Sequence, residues 1–271
     1  LLDLDFNRKG KYFPLLKILP RIGSAKFIEL CPNVLDMILS SIGNGMVNTQ
    51  ASLLYENFVK DQFAIHGITK KTEDSDKNLE SVQQLTLLPI CKYLSGEATS
   101  IHETNHASIL IYIVPKIIKL HPLNFSFLIK NVRSTEAGDN YSDEFLRAVI
   151  QLMIIGKSES ISNIDDYVQQ RQDIIDVCFK HFDPKLRLDA LNLTTSSTRL
   201  SDPCTPLQVR TVLNFVRLNL KPPSSSFRHE LSSILKRFLG RVSSSSQNIW
   251  TKHERDQTTE TLIQAVDALK K

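Results

Sequence analysis

The sequence predicts an all-α fold, specifically an α-solenoid of HEAT- or armadillo-like antiparallel helix pairs. Apolar residues recur at steps of three and four through most of the 271-residue chain, and no segment shows the convincing period-2 alternation of a half-buried strand. The connections are mostly short and carry Pro, Gly, Asp or Ser, as hairpins between successive helices require. Because the repeat period is loose, a compact, irregular all-α domain is the structural alternative.

Thirteen helical segments are predicted in chain order. Pro32 fits a helix start, Ser142 can cap the helix that follows it, and Asp183 with Pro184 fits a cap and a first turn. Pro115 is expected to kink or end its helix. The segments are 11–19, 24–30, 32–42, 46–63, 82–94, 104–120, a short helix between 122 and 132, 142–155, 165–182, 184–195, 206–220, 226–242 and 249–269.

The chain is interpreted as a single α-helical repeat segment, residues 1–271, of a longer protein, because it begins at Leu1 and shows no charged-then-apolar leader. Two polar stretches, 69–78 and 134–141, are expected to be mobile loops. The longest apolar run, 109–114, is far short of the ~20 residues that cross a bilayer. Four widely spaced cysteines without a CxxC pair favour reduced, buried thiols, and we expect a cytoplasmic protein.

Basic residues are concentrated in two segments. Six of them and no acid lie between Arg8 and Lys26, and seven lie between Thr205 and Val242 against Glu230 alone. Such segments fit an anionic partner, although solvated helix faces explain them about equally well on charge alone.

The helix predicted at 226–242 carries the densest basic cluster. Lys236 lies nearly opposite its apolar face, Arg237 and Arg241 share one flank, and Arg228 is expected to bond to a neighbouring helix or carbonyl. Its core-facing arc of about 140° contains Phe227, Leu231, Ile234, Leu235, Phe238, Leu239 and Val242. The candidate RNA-binding residues of the chain are Lys236, Arg237, Arg241, Lys221, Arg217 and Arg210.

The sequence His102-Glu-Thr-Asn-His106 matches the H-E-x-x-H pattern of zinc peptidases. A third ligand at a familiar spacing is missing, and His121 and Glu136 are unsupported candidates. The interpretation as two histidines at a helix start is therefore favoured over a zinc site. The segment Gly43-Asn44-Gly45 fits a helix-capping turn better than a phosphate loop, because no strand precedes it. With no glycine-rich cofactor loop or catalytic constellation visible, we expect no catalysis, cofactor or metal in this chain.

The segment 183–191, DPKLRLDAL, fits a helix-hairpin junction, with Arg187 and Asp189 available for bonds to neighbouring repeats. Together with TVLNFVRLNLKPPSSSFRHELSSILKRFLGRV it resembles the THADA family. The matching features are the 187–191 junction, the helix end Phe215…Asn219-Leu220, and the 226–228 segment leading into the basic helix; the segment 11–16 with Leu19-Pro20 is a weaker match.

The resemblance implies a HEAT- or armadillo-type solenoid that acts as a non-catalytic subunit, since the family's fungal members include such a subunit of a tRNA ribose 2′-O-methyltransferase. The partner would be a Rossmann-fold methyltransferase that binds S-adenosylmethionine. The complex would modify the ribose of the first nucleotide of the tRNA anticodon loop, and we expect recognition of the RNA by shape and backbone. The alternative is a HEAT-type protein–protein scaffold without RNA contact.

Overall fold

Helices account for the regular secondary structure throughout the described part of the chain. The computed structural model describes residues 6–69, 77–97, 103–134, 141–197, 204–219, 224–248, 251–253, 256–257 and 260. Its helices are α1 (Lys9–Ile22), α2 (Ser24–Leu30), α3 (Val34–Ser41), α4 (Asn48–Ile65), α5 (Lys77–Leu94), α6 (Glu103–Ser108), a π-helical segment (Ile109–Ile113), α7 (Val114–Leu120), α8 (Leu123–Asn131), α9 (Asp143–Ser158), α10 (Ile164–Gln170), α11 (Gln172–Phe179), α12 (Pro184–Thr195), α13 (Pro206–Leu218) and α14 (Ser225–Asn248). The all-α prediction is confirmed.

Most helix ends lie within about three residues of the predicted ones, and two of the predicted caps are present, whereas α3 begins at Val34 and not at the predicted Pro32. The Ser142 hydroxyl accepts a hydrogen bond from the Phe145 amide at the start of α9. Asp183 accepts from the Lys185 amide, with Pro184 in the first turn of α12. Each side chain satisfies an amide that the first helical turn leaves without an intrahelical acceptor.

Two predicted helices are interrupted. The segment 165–182 divides at Arg171 into α10 and α11. The segment 104–120 passes through the π-helical turn before Pro115, where the Val114 amide donates to the Ile109 carbonyl. Proline lacks the amide that would continue the α-helical ladder, so the wider turn accommodates it. The predicted helix 249–269 lies almost entirely outside the described residues, as do 70–76 and 135–140, the greater part of both predicted mobile loops.

The chain divides into two compact units, Leu1–Ile161 and Ser162–Lys271, a division that the sequence did not predict. In the first unit α4 packs against α1 and α2, and α5 packs against α8. Edge-to-face rings of Phe27 and Phe58, 5.2 Å apart, lie in this core. The buried Tyr55 hydroxyl donates to the Thr86 carbonyl at 2.6 Å, which links α4 to α5.

In the second unit α12 packs against α11, α13 and α14. The rings of Phe179 and Phe215 meet edge to face with centroids 5.0 Å apart and join α11 to α13. Leu186, Ala190 and Leu193 of α12 are buried, as the one-faced pattern of the junction predicts.

The turn after α3 depends on a close approach between Gly43 and Asn105 of α6. The Gly43 amide donates to Asn105 Oδ1 at 2.8 Å, and Asn105 Nδ2 donates to the Ser40 carbonyl at 2.9 Å. A Cβ atom on Gly43 would collide with the side chains of Asn105 and Thr104. This arrangement confirms the expected helix-capping turn and explains why Asn105 stands inside the His-Glu-Thr-Asn-His sequence.

Replacing Gly43 with alanine is therefore expected to lower the free energy of unfolding by about 1–3 kcal/mol, since the methyl group displaces a buried amide that bridges two helices. Equilibrium urea unfolding of the chain, followed by circular dichroism, measures the loss. Gly45→Ala is the matched control in the same turn, because a Cβ there meets no atom within 4 Å. Equal stability of the two variants would contradict the steric argument.

Candidate nucleic-acid interface

Helix α13 presents two of the predicted RNA-binding arginines. Its start is fixed by a capping box, in which Thr205 and Gln208 each bind the other's backbone amide. With Val209, Val212 and Phe215 buried, Arg210 and Arg217 are exposed. They are seven residues apart, so they lie two turns apart on one face, separated by about 10 Å along the helix axis.

Helix α14 presents Lys236 and Arg237, both exposed, beside a buried face that differs from the predicted one. Phe227, Ile234 and Phe238 are buried as predicted, but Leu239 is 58% exposed. The centre of the buried face is thus rotated by roughly 40° toward Arg241, on a wheel of ~100° per residue.

Arg241 is consequently a buried residue, with an exposed fraction of 5%. Its Nη1 donates to the Thr195 carbonyl at 2.6 Å. Thr195 is the last residue of α12, so the guanidinium binds a carbonyl that a helix end leaves without an intrahelical donor. Arg241 is four residues from Arg237 and lies on the same flank of the helix, but its burial contradicts the prediction that it contacts RNA phosphate, and we assign Arg241 to packing.

The environments expected for the Arg228 and Arg241 side chains are reversed in the structure. Arg228, predicted to bond to a neighbouring helix or carbonyl, is exposed, and Arg241 makes such a bond. Lys221 lies outside the described residues. Of the six candidates, four are therefore placed on exposed helix surface in the second unit: Arg210, Arg217, Lys236 and Arg237.

A comparison with models of protein families shows the family of the chain. A family model described as "Trm732, TPR repeats" matches residues 89–271, about two thirds of the sequence. The chain belongs to this family.

Curated relatives of this Trm732 family chain carry the name tRNA (32-2′-O)-methyltransferase regulator THADA. The chicken protein is 23% identical over 275 residues, and this alignment covers 97% of the chain and 14% of the relative. The mouse protein is 20% identical over 266 residues, which are 95% of this chain and 13% of the mouse protein. The dog protein is 21% identical over 265 residues, which are 94% of this chain and 13% of the dog protein. The chain thus spans about one seventh of the length of these relatives. No solved structure matches it.

The predicted resemblance to the THADA family is confirmed, and the structure brings its motif residues together. Arg187 Nη1 donates to Asn219 Oδ1 at 2.7 Å, and its guanidinium lies 5.2 Å from the centre of the Phe227 ring. Asn219 Nδ2 donates to the carbonyls of Phe179 and Phe215 at 3.2 and 3.0 Å. The motif of this Trm732 family chain is therefore a packing centre that joins α11, α12, α13 and α14.

The structural role predicted for Arg187 is confirmed by its bond to Asn219, the residue that follows the last turn of α13. Its buried Nε atom makes no hydrogen bond within the described residues. Asp189 pairs with Lys185 of the same helix at 3.7 Å. Burial raises the pKa of the Asp189 carboxyl, although the positive charge of Lys185 opposes this shift.

The His-Glu-Thr-Asn-His sequence contributes buried contacts in the described part. His106 is buried, and this burial lowers its pKa, so the imidazole is neutral at pH 7. His102 lies outside the described residues. Of the two candidates for a third zinc ligand, Glu136 also lies outside them and His121 is buried. No group of three or more His, Cys, Asp or Glu residues in the described ranges is placed to hold a metal ion.

All four cysteines are free thiols; Cys91, Cys178 and Cys204 are buried as predicted, whereas Cys31 is only half-buried. Burial raises the pKa of Cys91 and Cys178 to about 12 and that of Cys204 to about 11. The positive charge of Arg241 opposes the rise in the pKa of Cys204. These three thiols stay protonated at neutral pH and are therefore poor nucleophiles. No helix in the described part of the chain is long and apolar enough to span a membrane.

Proposed function

We propose that this chain is a segment of a non-catalytic regulatory subunit that holds tRNA and a partner methyltransferase for ribose 2′-O-methylation. The match to the Trm732 family carries the proposal, together with relatives named as regulators of a tRNA (32-2′-O)-methyltransferase. The partner is a Rossmann-fold enzyme that binds S-adenosylmethionine, and the modified nucleotide is the first of the anticodon loop. The complex is cytoplasmic, and the helical repeats are of the HEAT or armadillo type.

The exposed cations of α13 and α14 support an RNA contact in the second unit. No carboxylate in the described residues forms an ion pair with Arg210, Arg217, Lys236 or Arg237. α13 contains no acidic residue, so phosphate groups meet no fixed negative charge on this helix. Guanidinium and ammonium groups in such positions neutralise phosphates, which gives affinity that depends on salt and little on sequence.

Exposed leucines favour a second candidate function on the same helices, a scaffold that binds only proteins. Leu207 and Leu218 of α13 and Leu239 of α14 are exposed beside the cations. A mixed apolar and basic surface also fits an acidic protein partner.

Purification of the protein from its own cells through an affinity tag tests the proposal. The expected result is that a methyltransferase and tRNA are both recovered, and that the recovered enzyme methylates the anticodon-loop ribose faster with the subunit than after its removal. Recovery of protein partners without tRNA, even after mild crosslinking, favours the protein scaffold. Methylation that is equally fast without the subunit contradicts the regulatory role.

A further inference from the structure

Helix α1 of the first unit has an exposed face that carries three cations and no acid. Lys9, Phe13, Lys17 and Arg21 follow one another at intervals of four residues, and all four are exposed. Each of these residues lies about 6 Å further along the helix axis than the one before it and is rotated by roughly 40° around that axis. The four side chains therefore form one stripe about 18 Å long. Phe13, with 53% of its surface exposed, interrupts the row of charges.

The opposite face of α1 holds the helix firmly on the unit. Tyr12, Leu15 and Leu19 are buried, and the Tyr12 hydroxyl is 2.7 Å from the Ser41 hydroxyl. Lys11 is also buried, with its ammonium 3.5 Å from the centre of the Phe6 ring. Lys11 is therefore part of the packing of this helix, whereas Lys9 and Lys17 are exposed to solvent.

Among the described residues, the carboxylates on the helices that pack against α1 are engaged by other groups. α1 packs against α2 and α4, whose acidic residues are Glu29, Glu56 and Asp61. Glu29 pairs with Lys26 at 2.8 Å. Glu56 pairs with Lys60 and Lys116 at 2.6 and 3.5 Å. Asp61 accepts hydrogen bonds from the Ser24 amide and hydroxyl, each at 2.6 Å.

Lys9, Lys17 and Arg21, in contrast, make no ion pair with any carboxylate of the residues that the structure describes. Charges that stand in a row without counter-charges raise the local positive potential and attract a polyanion. A membrane surface fits less well, because interfacial helices bind through an inserted apolar face in addition to charge, and the apolar face of α1 is buried in the unit.

We propose that the Lys9–Phe13–Lys17–Arg21 face of α1 is a second RNA-binding surface, in the first unit, that contacts the phosphate backbone of the tRNA. The three cations neutralise phosphates, and the Phe13 ring supplies a stacking surface for an unpaired base. This inference rests on the proposed function only in taking tRNA as the polyanion. It assigns a contact independent of the α13 and α14 cations.

The test compares tRNA binding by the 271-residue chain and by a variant with Lys9, Lys17 and Arg21 all changed to glutamate. With a folded tRNA transcript over a salt series, we expect affinity at about 0.1 M salt to fall roughly 10- to 100-fold. The slope of log K against log salt concentration is expected to become shallower by about 2–3, since up to three phosphate contacts are lost. Phe13→Ala is expected to weaken binding roughly fivefold or more without changing the slope.

The matched control reverses three exposed lysines elsewhere in the same unit, Lys77, Lys92 and Lys130, with the same change in net charge. Circular dichroism and thermal unfolding verify that both triple variants fold. The proposal is overturned if the α1 variant binds tRNA as the parent chain does, or if the control variant weakens binding equally. It is also overturned if the parent chain binds no tRNA at low salt.

Two further probes separate other partners. Loss of binding to phosphatidylserine vesicles, or to a polyglutamate peptide, with tRNA affinity unchanged would assign the α1 face to a membrane or to an acidic protein. Each of these results overturns this inference and leaves the regulatory role intact, since recovery of the methyltransferase and the methylation rate measure that role separately.

Discussion

Replacing Asn219 with alanine is expected to lower the free energy of unfolding of the second unit by about 2–4 kcal/mol. The side chain accepts a hydrogen bond from Arg187 and donates to the backbone carbonyls of Phe179 and Phe215. Asn219 itself is buried, and water cannot easily replace these partners. Its removal leaves a charged donor and the Phe179 carbonyl without this partner, and such losses cost more than an average hydrogen bond contributes.

Asn214→Ala is the matched control, because it removes an exposed asparagine from α13, the helix that Asn219 caps, and is expected to change stability by no more than about 0.5 kcal/mol. Chemical denaturation with hydrogen exchange of the Asn219 and Phe179 regions measures both variants. Asn219→Asp keeps an acceptor for Arg187 and loses the amide donor, so we expect an intermediate loss. If Asn219→Ala were as stable as Asn214→Ala, the motif residues would not form the packing centre described above.

Local features of the fold were predictable because their causes lie within a few residues. Ser142 and Asp183 cap their helices through amides two or three positions away, and Pro184 occupies a first turn. The three- and four-residue spacing of apolar residues locates the helices for the same reason, since it reports one face of one helix.

The partners in contacts between distant parts of the sequence were not predictable, even where a structural role was expected, as for Arg187. Arg241 bonds to Thr195, 46 positions away, and Arg187 bonds to Asn219, 32 positions away. A helical wheel shows which residues share a face, but the centre of the buried face is set by the helix against which it packs. In α14 that centre lies close to Arg241, so an arginine is buried while Leu239 is exposed. The Arg241 error therefore arose from the assumption that apolar residues alone define the core.

The same limit applies to the candidate interface. The charge count identified both basic segments, but it could not separate the cations in solvent from those used in packing. Lys11 in the first segment and Arg241 in the second are both buried. The sequence alone also could not show the role of Asn105 in the His-Glu-Thr-Asn-His sequence. In the structure, this buried side chain binds the backbone groups of Ser40 and Gly43.

Reversing the exposed cations of the second unit is expected to give the largest loss of tRNA affinity. A variant with four glutamates removes as many as four phosphate contacts and introduces repulsion, so we expect affinity at about 0.1 M salt to fall on the order of 100-fold or more. The slope of log K against log salt concentration is expected to become shallower by about 3–4. The changed residues are Arg210, Arg217, Lys236 and Arg237, and a tRNA transcript titrated over a salt series provides the measurement.

The control for this variant has the same net charge and reverses four exposed lysines on other helices and turns: Lys77, Lys92, Lys130 and Lys180. A loss of affinity in both variants would indicate attraction by overall charge alone and would contradict a localised interface. Arg241→Gln separates packing from phosphate contact, because it is expected to destabilise the unit while leaving the salt dependence of the folded protein unchanged. If Arg241→Gln instead flattened the salt dependence at full stability, the buried guanidinium would have to reach the RNA, and its bond to Thr195 would not represent the bound state.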